Sequence, residues 1–384
     1  MPGSPLELPL PYNSLMTKHI SFLIKPASSA CNMRCRYCFY HDVAEHRELA
    51  VTSRMGAETA HAIIDKALGL APDAQVAFAF QGGEPTLAGL GFFRDFVGYV
   101  DAHRSHQAVT YALQTNGLVV AKDPAWTDFF AEHHFLVGVS VDGTKDIHDY
   151  LRPDASGAGT YGRVTKAIGR LRDADVEFNV LTVLTDQLAK HPQQAFRFLM
   201  REHVDYVQYI PCLPGLGERA DEYSLTPHAF AGFYRSLLDQ WLRELERGHY
   251  ISVGLFDDIM GMSLGRRPVQ CGMLGQCAPQ FVIEGNGDVF PCDFYALDEW
   301  RCGNIVADGL EELATCDAVR RFLAEPRRPC AACGSCPFEG MCHRNCKRLN
   351  IAYYDEAYCG YREFLEYGYQ RLAWAARVIM QGQR

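Results

Sequence analysis

The chain has 384 residues, 48% hydrophobic and 22% charged, enough apolar mass for two or three domains or for one large α/β unit with an appendage. Its formal net charge of −9 gives no electrostatic support to a nucleic-acid partner, and no run of about eighteen apolar residues is present to span a membrane. The N-terminal stretch from Met1 to Leu10 lacks the basic start and long apolar middle of a signal peptide, so the expected location is cytoplasmic.

The first strand-like run, Ile20–Ile24, leads into Cys31-Asn-Met-Arg-Cys35-Arg-Tyr-Cys38, a C-x3-C-x2-C array. A 4Fe–4S cluster normally takes four cysteines, so three thiolates leave one iron open to a chelating small molecule. The alternative is a structural zinc site, which more often uses two C-x2-C pairs or Cys/His pairs; no fourth ligand is evident nearby.

Five further runs rich in Val, Ile, Phe and Tyr read as buried strands: Gln75–Phe80, Val109–Leu113, Phe135–Ser140, Val176–Leu184 and Tyr206–Ile210. Helical patterns separate most of them, at Ala57–Leu70, Phe92–His103, Pro124–Glu132, Tyr161–Ala174 and Gln193–His203. Ala60, Ile63, Ile64, Ala67 and Leu68 show the helical stripe. Alternation of strand and helix predicts a parallel sheet with helices outside, and in parallel barrels function gathers where strands end. Five of the runs lead into polar or Gly-rich loops or a Pro–Cys step: the Cys array, Gln81-Gly-Gly-Glu-Pro85, Gln114-Thr-Asn-Gly117, Ser140-Val-Asp-Gly143 and Ile210-Pro-Cys-Leu213.

After about residue 225 the pattern changes. A helix over Pro227–Glu246 precedes a Cys-rich region. Of fifteen cysteines, three lie at 31–38, one is Cys212, and eleven fall between Cys271 and Cys359. In a reducing compartment such clustering reads as metal ligation rather than disulfides. The spacings are Cys271-x5-Cys277, then Cys292, then Cys333-x2-Cys336-x5-Cys342-x3-Cys346, then Cys359. A zinc knuckle is the alternative for the middle array. Gly285-Asn-Gly-Asp288 reads as a hairpin turn that delivers Cys292 and Asp293 together, and in a strand the Asp293 side chain would point opposite to that of Cys292.

The Cys31–Cys38 array with Tyr37 as its aromatic, and the Gly82-Gly-Glu-Pro85 loop, resemble the radical S-adenosylmethionine (SAM) family. The C-terminal cysteines resemble its SPASM extension. Lys25-Pro-Ala-Ser-Ser29, Cys38-Phe-Tyr-His41, Phe80-Gln-Gly-Gly-Glu-Pro-Thr-Leu-Ala88 and Pro291-Cys-Asp-Phe-Tyr295 resemble the anaerobic sulfatase-maturating enzymes, a likeness running from about Ser21 to Arg371. The resemblance implies a partial (β/α)6 TIM-like radical SAM barrel over 15–225, a helical linker region over 226–265 and a SPASM domain with a C-terminal helix over 266–384.

It also implies three 4Fe–4S clusters and bound SAM. One cluster takes Cys31, Cys35 and Cys38. A second takes Cys271, Cys277, Cys292 and Cys346, and a third Cys333, Cys336, Cys342 and Cys359. Cys212, Cys302, Cys316 and Cys330 receive no role. Gly83 and Glu84 would hold the SAM amino group, Ser140 and Arg152 its ribose and carboxylate, and Leu213 its adenine, with backbone or ring contacts from Tyr37. The implied reaction is oxidation of a Cys or Ser in an unfolded sulfatase segment of Cys/Ser-x-Pro-x-Arg type to Cα-formylglycine, with flavodoxin or ferredoxin as electron donor. Asp293 is the candidate base; its other reading is a turn cap beside Cys292. Other SPASM enzymes that make thioether or carbon–carbon crosslinks share the same clusters. A bare iron–sulfur carrier or zinc-binding module would leave the SAM loops unexplained.

Overall fold

A computed structural model of the chain describes residues 19–47, 53–217, 221–328 and 330–382. The N-terminal stretch read for a signal peptide, and the proposed start of the barrel at residue 15, lie outside the described residues. Six parallel strands form the centre: β1 (His19–Ile24), β2 (Gln75–Phe80), β3 (Ala108–Thr115), β4 (Phe135–Ser140), β5 (Phe178–Leu184) and β6 (Tyr206–Pro211). Helix α1 (Phe39–Glu45) follows the Cys array. The outer layer includes α2 (Ala57–Leu68), α3 (Leu90–His103), α4 (Ala125–Glu132), α5 (Lys145–Leu151), α6 (Tyr161–Asp173) and α7 (Pro192–Arg201). The fifth strand starts two residues later than its sequence suggests. Val176 is instead spent closing α6: its N–H donates to the Leu171 carbonyl at 3.0 Å, after Asp175 turns at φ 54°.

The core follows from the strand pattern. In β2, Val76, Phe78 and Phe80 are buried, and Phe78 and Phe80 both meet Phe96 of α3 edge to face at centroid distances of 5.0 and 5.1 Å. Phe80 also packs on Phe93, which meets Trp126 of α4.

The sheet is wider than the six strands expected. Its order is β10-β9-β8-β1-β2-β3-β4-β5-β6-β7. On one side, the short β7 (Ser252–Val253) pairs with β6 and leads into α9 (Gly254–Ser263), after the long α8 (Pro227–Glu246). On the other, the expected hairpin forms from β8 (Val282–Ile283) and β9 (Asp288–Phe290), with β10 (Gly303–Asn304) beside it. Strand β8 lies parallel to β1 and covers its outer edge. The C-terminal α10 (Gly360–Gly382) packs on α8 and α9. Asp293 departs from its expected strand geometry. Cys292 is extended, and Asp293 opens a single 3-10 turn, Asp293–Tyr295, which turns the chain immediately after the ligand.

Candidate active site

The Cys31–Cys38 loop sits at the C-terminal ends of the parallel strands. It is pinned by backbone bonds from Arg34 N–H to the Pro153 carbonyl and from Arg36 N–H to the Leu151 carbonyl, both 2.9 Å. The Gly-Gly-Glu-Pro loop braces it from β2. Gly83 N–H donates to the Ser28 carbonyl and Glu84 N–H to the Ala30 carbonyl, each at 2.8 Å. A Cβ on Gly83 would stand 2.3 Å from the Ala30 oxygen, so the glycine serves loop-on-loop packing as much as any ligand. Burial pushes the Cys31 thiol up to about 11 and the Cys35 thiol up to about 12.

Glu84 is fully buried. Its Oε1 accepts from Thr86 N–H, the Thr86 hydroxyl and the Thr115 hydroxyl, while Oε2 accepts one bond, from Asn116 N–H at 2.7 Å. Oε2 therefore keeps a lone pair for an ammonium group. Burial raises the Glu84 pKa despite these bonds, and a cation would offset that. Asn116 Nδ2 donates to Asn32 Oδ1 at 2.7 Å and lies 3.7 Å from Cys31 Sγ. Ser140 ends β4, two residues before Asp142. The Asp142 carboxylate accepts from the Tyr37 hydroxyl, which also accepts from Arg152 Nη1 at 2.8 Å. Arg152 Nε is buried without a partner, an orphan donor that the carboxylate of SAM would satisfy. The Tyr37 hydroxyl is thus consumed within the protein. Leu213 lies just beyond β6, half-buried, above the buried Cys212.

The auxiliary cysteines lie in two neighbourhoods. Cys333, Cys336, Cys342 and Cys359 line one small pocket, with Tyr353, Tyr354 and Tyr361 around it. Four thiols converging on one cavity fit a fully ligated cluster. Buried Cys330 packs against Cys333 outside that lining. In the other set, burial raises the Cys271, Cys277 and Cys292 thiols, and each feels Cys346 as a near neighbour. Cys302 and Cys316 pair with each other instead.

Asp293 is the meeting point of three segments that sequence reasoning noticed only as strings. Its Oδ2 accepts from the Tyr40 hydroxyl at 2.7 Å and from Gln81 Nε2 at 3.0 Å. Gln81 Nε2 also donates to the Tyr40 oxygen at 2.8 Å. Oδ1 is buried and stands 3.0 Å from Lys25 Nζ as an ion pair. Lys25, Tyr40, Gln81, Glu284, Asp142 and Asn116 were all missed as site residues. Their signal was present in the loops that end the strands.

Known proteins place this geometry. The radical SAM superfamily profile matches residues 26–199, and an iron–sulfur cluster-binding domain (SPASM) matches residues 275–337. A cysteine-type anaerobic sulfatase-maturating enzyme of Clostridium novyi is 35% identical over 95% of this chain and 100% of its own length. A serine-type enzyme of Klebsiella aerogenes is 27% identical over 93% of this chain and 87% of its own. Among solved structures, native anSMEcpe with bound AdoMet and Cp18Cys peptide is 35% identical, with a TM-score of 0.84 over 93% of this chain and 99% of that one. A strand-end Cys triad, two further four-cysteine sets and a full-length likeness agree: the chain belongs to the anaerobic sulfatase-maturating enzymes of the radical SAM superfamily.

Proposed function

We propose that the protein oxidises a cysteine in an unfolded sulfatase segment of Cys-x-Pro-x-Arg type to Cα-formylglycine, with flavodoxin or ferredoxin as electron donor. Choice of cysteine over serine is supported by the higher identity to the cysteine-type relative. When bound, the clusters and SAM supply a 5′-deoxyadenosyl radical that takes a hydrogen from the substrate Cβ, and an outlet for the remaining electron. The protein's own part is to hold SAM and to accept a proton. Arg152 Nε and Glu84 Oε2 have unfilled hydrogen-bonding capacity of opposite kinds, matching a carboxylate and an ammonium of one amino-acid moiety.

The observation that carries the reading is Asp293 Oδ1. Tyr40 and Gln81 fix the carboxylate through Oδ2 and Lys25 Nζ stands 3.0 Å from Oδ1, so a buried carboxylate is held in one orientation beside the helix that follows the Cys array. Water then hydrolyses the thioaldehyde, releasing sulfide. The test is a reaction of reconstituted enzyme, SAM and reductant with Cys- and Ser-containing sulfatase peptides. The Cys peptide should lose about 18 Da, whereas a crosslink loses about 2 Da. In Asp293→Asn, 5′-deoxyadenosine should persist while aldehyde falls about 10²-fold. Near-normal aldehyde would sink the base assignment.

A further inference from the structure

Sheet register places a second carboxylate beside the one that accepts the proton. The last paired row of β1 and β8 is Ile24 with Ile283, and Lys25 N–H continues the ladder to the Ile283 carbonyl at 2.8 Å. The next residues, Lys25 and Glu284, are therefore cross-strand neighbours at the C-terminal edge of the sheet. Both are buried, with side chains 3% and 6% exposed. Lys25 Nζ lies between the two carboxylates, 3.3 Å from Glu284 Oε1 and 3.0 Å from Asp293 Oδ1. Arg47 Nη1 meets the same Glu284 oxygen at 3.4 Å. The hairpin carrying Glu284 is seated hard. Gly285 N–H donates to the Ser28 hydroxyl at 3.0 Å, and a Cβ on Gly285 would stand 2.5 Å from the Ser53 carbonyl.

We propose that Lys25 and Glu284 are a positioning pair for Asp293, a role that rests on the base reading of that residue. Glu284 holds the ammonium between the two carboxylates. Lys25 thereby anchors Asp293 Oδ1 by charge and fixes its aim. Without Glu284, the ammonium is no longer held in place and the aim of Oδ1 shifts. Without Lys25, the carboxylate keeps only its Oδ2 bonds and loses its fixed aim. Both carboxylates arrive on the auxiliary hairpin and Lys25 on the first barrel strand. Seating of that hairpin on β1 therefore sets the site for proton removal.

The experiment measures 5′-deoxyadenosine, peptide aldehyde and iron content in the same reactions. Lys25→Met and Glu284→Gln should keep iron and SAM cleavage while aldehyde falls about tenfold or more. The loss should lie in kcat, with peptide KM unmoved. Adding Lys25→Met to Asp293→Asn should cost nothing further, because both act through one carboxylate. Coupling within twofold of wild type in both single variants, or losses that multiply in the double variant, would overturn the proposal. If Lys25→Met loses iron, Lys25→Arg carries the test. Its longer planar fork keeps the charge but cannot hold both carboxylates from the same point, so aldehyde should again fall, and full coupling would overturn the proposal. Wild-type enzyme that cleaves SAM and makes no aldehyde would instead overturn the base reading beneath it.

Discussion

Arg152 donates through Nη1 to the Tyr37 hydroxyl at 2.8 Å while its Nε stays buried with no partner. The guanidinium is thus oriented by an aromatic residue inside the Cys array and presents a spare donor. A buried orphan N–H is costly, on the order of 1–3 kcal/mol, and is tolerated where a ligand repays it.

Arg152→Lys tests this directly. A lysine keeps the charge and loses the fork that serves Tyr37 and the ligand together. Iron content should hold, and the KM for SAM should rise roughly tenfold, the scale of about 1.4 kcal/mol. Deoxyadenosine formation against SAM concentration reads it out; an unchanged KM would place Nε outside the SAM contact.

Gly83→Ala should strike one cluster only. The added methyl would meet the Ala30 carbonyl and lift the Gly-Gly-Glu-Pro loop away from the Cys array. Reconstituted iron should fall from about twelve to about eight per chain, with SAM cleavage lost. Full iron with normal cleavage would contradict the packing role.

Replacing Cys31, Cys35 and Cys38 together by Ala should give the same figure of about eight irons and no deoxyadenosine, since the eight cysteines proposed for the other two clusters are untouched. Cys333→Ala alone should reduce the third cluster without touching SAM cleavage in the absence of peptide. Iron near four per chain with stoichiometric zinc in the unmodified protein would refute both auxiliary assignments.

His148 gives the fold an acid limit. Its Nδ1 accepts from Asp142 N–H at 3.2 Å, so Nε2 carries the hydrogen and donates to Thr160 Oγ1 at 2.9 Å. Burial, with the nearby Arg152 charge, lowers its pKa from 6.5 to about 3. Between these values the unfolded chain binds the proton and the folded one does not. This contribution to stability is therefore complete above about 6.5 and is lost as pH falls toward about 3. Denaturant midpoints should drop between pH 7 and pH 5, and His148→Gln, though less stable at pH 7, should lose part of that slope.

The six parallel strands were legible as apolar runs, five of them ended by a polar or Gly-rich loop or a Pro–Cys step. Division of the auxiliary cysteines into two sets was implied by the family resemblance, not by their spacing. What sequence did not convey is lateral. Nothing in Val282–Ile283, two residues long, announces a partner in β1, so the hairpin was foreseen but its place in the sheet was not. Lys25 and Glu284 look like ordinary charges until the register sets them side by side. Asp293 was recognised, but its strand geometry was not realised, because the chain turns into a 3-10 segment immediately after Cys292. Tyr40 and Gln81 follow motif residues closely, and only the folded loops show that both address the same oxygen.

The pairing of β8 with β1 also fixes a timetable. Lys25 and Glu284 are separated by 259 positions. At translation rates of about 5–20 residues per second, roughly 10–50 s pass between the emergence of the two. Throughout that interval β1 has no β8 to cover its outer edge, and Lys25 has neither of its carboxylates. The first segment made is completed by one of the last, so a chain truncated before the hairpin would lack both its second and third clusters and the cover on its first strand. The finished cluster of Lys25, Glu284 and Asp293 then doubles as a record that synthesis has reached the auxiliary domain.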